Sequence, residues 1–170
     1  MADLHEKAVS QRNLLERLGA KIPGFKGYME KETRRDADKI QRDFVADELF
    51  GQKAQIKRAL DDAIMGGDLD GIMPYEKLMG RIDVVAQKIK NAPRGYSGIF
   101  DTIKIGEEQL ARIYEFDVSL TEGAEEVTAK VGQLGSADKE RKQALVREAT
   151  DLVNKLEEYF SRREEILRKG

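Results

Sequence analysis

The sequence predicts an all-α protein, an elongated helical bundle of about five helices closed by a C-terminal antiparallel coiled-coil-like hairpin. Apolar residues recur every three or four positions over most of the 170 residues, the period of helices with one buried face. Strand-like alternation survives only at Thr102-Ile103-Lys104-Ile105, too short to found a sheet. Charged residues reach 36%, aromatics only 6%, and proline occurs three times, which is the profile of a helical protein and not of a sandwich or barrel. The length suits one helical domain over 1–170 with a core of its own. Within it, 1–105 holds the N-terminal helices and two glycine- and aromatic-rich loops, and 106–170 holds the hairpin.

The first helix is capped by Asp3, carries Leu4, Ala8, Leu15 and Leu18 on one side, and is expected to stop at Gly19. An irregular stretch, Ile22 to Tyr28, follows. From about Met29 to Met65 no proline intervenes, and Ala37, Ile40, Phe44, Val45, Leu49, Ile56, Leu60 and Ile64 keep the helical period. This reads as one helix of roughly 55 Å, weakest at Gly51, where a kink is expected, and ended by Gly66-Gly67. Pro74 suits a first helical position, because its missing N–H has no partner there. Leu78, Ile82, Val85 and Ile89 carry that third helix to about Asn91, and Pro93 breaks it. A second irregular stretch, Ala92 to Phe100, follows. In the C-terminal part, Ile113, Phe116, Leu120, Ala124, Val127, Val131 and Leu134 form one stripe. After a turn at Gly135-Ser136, a second stripe runs through Leu145, Ala149, Leu152, Leu156, Tyr159, Arg163 and Ile166. Two near-heptad helices joined by a few residues make an antiparallel hairpin.

The totals exclude much chemistry. Without cysteine there is no disulfide, thiolate nucleophile, zinc knuckle or iron–sulfur cluster. A single histidine, His5, removes two-histidine metal motifs and most Ser-His-Asp schemes. The N-terminal residues lack the apolar centre of a signal peptide, and no stretch nears the ~20 apolar residues of a membrane span. The 30 Lys and Arg nearly balance the 32 Asp and Glu, leaving a net charge of −2. No global field therefore draws the protein to nucleic acid. A cytoplasmic location is expected, and no cofactor.

Individual motifs mostly resolve into structure. Asp68-Leu69-Asp70-Gly71 fits positions three to six of a calcium loop, but the end ligands fall on Gly66 and Lys77. Too few oxygens remain, and an acidic turn is the better reading. Gly95-Tyr96-Ser97-Gly98 resembles a nucleophile elbow with its second glycine one residue early and no strand before it. It reads as a glycine turn. The pairs Glu30–Arg34, Arg34–Asp38, Asp38–Arg42 and Lys39–Asp43 read as a salt-bridged, solvated helix face.

The anomaly is the pair of loops. Phe25, Tyr28, Tyr96 and Phe100 crowd into them with glycines and with Lys26 and Arg94 alongside. One reading makes the rings plugs for the bundle's ends. The other makes Phe25, Lys26, Tyr28, Arg94, Tyr96 and Phe100 a docking surface. The two loops are expected to meet at one end of the bundle only if the long helix bends near Gly51 or the second loop runs back along it.

The segment Pro23-Gly24-Phe25-Lys26-Gly27-Tyr28-Met29-Glu30-Lys31-Glu32-Thr33-Arg34-Arg35-Asp36-Ala37-Asp38-Lys39 resembles an uncharacterised family of bacterial all-α proteins of similar size. The likeness extends more weakly over Tyr96 to Tyr114. It implies a bacterial cytoplasmic protein and carries no activity or site. The functional expectation is a non-enzymatic interaction or scaffold protein that binds a protein partner, or itself, through helical surfaces and the aromatic loops. Two alternatives stand beside it: a regulator binding an acidic ligand, nucleic acid or lipid headgroup at the basic, aromatic loop patch, and a carboxylate-based enzyme.

Overall fold

The computed structural model describes residues 2–25, 31–92 and 106–169. Every long element in them is helical: α1 (Ala2–Lys21), α2 (Lys31–Gly51), α3 (Lys53–Met65), α4 (Ile72–Lys90), α5 (Glu107–Gly132) and α6 (Lys139–Lys169). The first helix passes Gly19 and ends two residues later, so that glycine does not stop it. The chain leaves it through Ile22-Pro23-Gly24-Phe25. Phe25 N–H donates to the Ile22 carbonyl at 3.2 Å, Pro23 supplies the fixed φ, and Gly24 takes φ +80. That is a type II turn.

The expected long helix is present and interrupted once. Gln52 N–H donates back three residues to Leu49 while Ile56 resumes the four-residue step to Gln52, so the chain tightens for one turn beside Gly51 and separates α2 from α3. A Schellman motif ends α3. Asp68 N–H reaches the Ala63 carbonyl, Gly67 N–H reaches Ile64, and Gly67 takes φ +74, the left-handed conformation this motif needs. A 3₁₀ turn over Leu69–Gly71 leads into α4, which begins at Ile72, so Pro74 sits third in it rather than first. The Gln109 side-chain oxygen accepts the Gly106 N–H at 3.0 Å to open α5. Asp138 caps α6 by accepting the Arg141 N–H at 2.8 Å.

Ion pairs and hydrogen bonds give the relative directions. Lys53–Asp83 and Lys90–Asp47 set α2–α3 against α4 in antiparallel register. Lys130–Glu148 and Asp117–Arg163 do the same for α5 and α6. Gln41 meets Asp117 and Glu48 meets Thr128, so α2 and α5 run parallel. Arg81 meets Asn154 and Lys88 meets Ser161, so α4 and α6 also run parallel. The four form a ring in the order α2–α3, α4, α6, α5, so that α4 and α5 stand at opposite corners. The hairpin is thus half of a four-helix bundle, and α1 lies along α5 outside the ring, tied by Arg17–Glu122 and Lys21–Glu125.

Two apolar clusters form the core among the described residues. The larger runs from Val45 and Leu49 through Leu78, Ile82 and Val85 to Leu120, Val127, Val153 and Phe160. The smaller gathers Leu18, Ile22, Ala37, Ile113, Tyr114, Val118 and Leu167. At Gly123 the hairpin helices close tightly, since a β-carbon there would stand 2.5 Å from Leu156 Cδ2.

Candidate functional site

Of the six loop residues proposed for docking, Lys26, Tyr28, Arg94, Tyr96 and Phe100 lie outside the described residues, as does the meeting of the two loops. Phe25 is described: it is half-buried and packs against the smaller cluster. The near-elbow at Gly95 also lies outside.

On the helix face read as solvated, Lys39–Asp43 forms as the expected exposed pair, but Asp38–Arg42 belongs to a buried site. Asp38 and Arg42 face inward, and Asp38 is only 4% exposed. Arg163 of α6, 1% exposed, donates from its guanidinium to Asp38 Oδ1 on α2 and from Nε to Asp117 Oδ1 on α5, both at 2.5 Å. Arg42 Nε donates to the other Asp38 oxygen at 2.9 Å. Its Nη1 donates to the Ile89 and Lys90 carbonyls at 3.3 and 3.2 Å, where the C-terminus of α4 favours a cation. Two arginines and two aspartates therefore balance in charge and link all four bundle helices where the two apolar clusters meet. Gln41 and Thr121, both buried, extend the layer. Such a layer fixes register more than it adds stability, because desolvating four charges consumes much of their attraction. The two arginines and two aspartates are engaged with one another and with backbone carbonyls, so the layer reads as structural.

The opposite end of the bundle, at the α3–α4 turn, has a different character. Ile64, expected in the core stripe, is 49% exposed, and Met65, Leu69 and Met73 are 79, 73 and 76% exposed. The stretch 59–76 that carries them contains Asp61, Asp62, Asp68, Asp70 and Glu76 and not one lysine or arginine. Lys57 pairs with Asp61 and Lys139 with Asp68. Asp62, Asp70 and Glu76 have no ion-pair partner among the described residues. Beside the turn, Asp62, Asp68, Tyr75, Lys139 and Lys142 line a cleft of about 220 Å³. Burial, with the Asp68 and Asp62 charges added, pushes the Tyr75 hydroxyl above its usual range.

Asp68 and Asp70 do not converge on a common point with further carboxylates. No group of three or more His, Asp or Glu placed to hold a metal occurs among the described residues, and no helix in them is long and apolar enough to cross a membrane. Sequence reasoning misses the exposed tip because it treats Ile64 as core and gives Met65, Leu69 and Met73 no role. The available signal is five large apolar residues within the ten positions 64–73, around a glycine turn. No protein-family model, curated protein or solved structure matches this chain.

Proposed function

We propose that the protein is a non-enzymatic interaction module whose helical bundle presents the α3–α4 tip to another protein. The supporting observation is the concentration of Ile64, Met65, Leu69 and Met73 in solvent at one turn of a chain that is otherwise heavily charged. Exposed apolar groups occur singly on most monomers. A cluster of this kind rimmed by charge marks an interaction surface. Methionine suits the role, since its unbranched, polarizable side chain adapts to a partner's shape.

The reading is tested by placing a photo-crosslinking side chain at Leu69 and, as a control, at exposed Glu158, well along α6 from the tip, and irradiating cells of the native host. A discrete adduct from position 69 that disappears when Met73→Asp is added supports it. Equal adducts from both positions, or none, contradict it.

A further inference from the structure

Resting on that reading of the tip, we propose that its partner is a basic protein segment with an apolar face, docked as an amphipathic helix over Met65, Leu69 and Met73. Charge carries the choice. Three carboxylates at the tip, on Asp62, Asp70 and Glu76, have no ion-pair partner among the described residues, and no lysine or arginine lies between Leu60 and Glu76 in sequence; Lys139, paired with Asp68, and Lys142 lie to one side, in the cleft. Apolar contact supplies attraction to any greasy surface, while the surrounding charge decides which one is admitted.

A second copy of the chain is disfavoured. A two-fold contact would bring this patch against its own image and press the three carboxylates on their equivalents. An anionic bilayer is repelled for the same reason. A lysine- or arginine-flanked helix satisfies both demands at once, apolar side chains on the methionines and leucine, cations on the acidic rim. The two methionines permit the apolar fit without a preformed groove.

The test uses the full chain and two defined peptides with the same leucine positions, one with lysines elsewhere and one with glutamates, followed by fluorescence anisotropy. The lysine peptide should bind at least about tenfold more tightly than the glutamate peptide and weaken as salt rises. The double variant Leu69→Ser, Met73→Ser should reduce that binding by about tenfold or more. The triple variant Asp62→Asn, Asp70→Asn, Glu76→Gln should erase the preference between peptides. All altered side chains are solvent-facing, so melting curves check that both variants still fold. Equal binding of the two peptides, or lysine-peptide binding untouched by the serine variant, overturns the proposal. A tip-dependent dimer in sedimentation, or tip-dependent binding to phosphatidylserine vesicles without binding of the lysine peptide, overturns it too. If the lysine peptide fails while the Leu69 crosslink persists, the basic partner is wrong and the docking surface stands. If both fail, the docking reading falls as well.

Discussion

Arg163 Nε and Asp117 Oδ1 lie 2.5 Å apart across the α5–α6 interface, with both side chains withdrawn from water. The same guanidinium holds Asp38 of α2, so one side chain anchors three helices. Removing it takes a cation from two buried carboxylates at once. Arg163→Met should cost about 3–5 kcal/mol in urea unfolding, the range for breaking one side of a buried ion network. Adding Asp38→Leu, Asp117→Leu and Arg42→Met to the same chain should recover most of that loss, because Arg42 is the other cation of the layer and no buried charge is then left without its partner. A single mutant as stable as the parent would show the layer to be dispensable.

The period of the sequence places Arg163 on the inner face but not its partners. A helical stripe from Ile113 to Leu120 can step through either Phe116 or Asp117, and apolarity favours the phenylalanine. The fold buries Asp117 and leaves Phe116 half-buried, packed at a tilt on Tyr159 with ring centres 6.5 Å apart. The same one-residue choice recurs on α6, where Val153, Phe160 and Leu167 are buried and Leu152, Tyr159 and Ile166 sit at the margin. Asp38–Arg42 has the spacing of a surface pair, so nothing local reveals that a third helix covers it. The helices and the break by Gly51 follow from periodicity and glycine chemistry. The exposed tip does not, because a period cannot register where neighbouring helices stop.

Glycines separate by what surrounds them. At Gly51 an added β-carbon would meet nothing within 4 Å, and φ there is not positive, so Gly51→Ala should stabilise the bundle by about 0.5–1 kcal/mol through helix propensity. Gly123→Ala gains the same propensity but drives its methyl onto buried Leu156. Overpacking costs about 1–3 kcal/mol, so this variant should be neutral or less stable. Paired denaturation curves check both signs.

Glu157 on α6 accepts hydrogen bonds from Arg81 and Lys88 of α4. The Arg81 hydrogen bond, opposed by partial desolvation and aided by Lys88, holds its carboxyl below the ordinary value of 4.5. A depressed folded value means the stabilisation is present above about pH 4.5 and is lost as pH falls through the lower folded value. Glu157→Gln should therefore lower the melting temperature at neutral pH, with the gap to the parent closing in acid. A gap independent of pH would assign the effect to packing.

The tip side chains should matter little to folding. Leu69→Ser and Met73→Ser bury nothing and break no hydrogen bond, so each should change stability by no more than about 0.5 kcal/mol. A loss of several kcal/mol for either would mean that these side chains belong to the core.

Methionine methyl NMR tests the docking surface most directly. The chain has five methionines, of which Met65 and Met73 stand in solvent at the tip while Met79 is half-buried on α4. On adding the basic amphipathic peptide to methyl-labelled protein, the Met65 and Met73 signals should shift together and saturably while Met79 stays in place. Shifts absent from Met65 and Met73, or equal shifts at Met79, would contradict a docking surface at the α3–α4 turn.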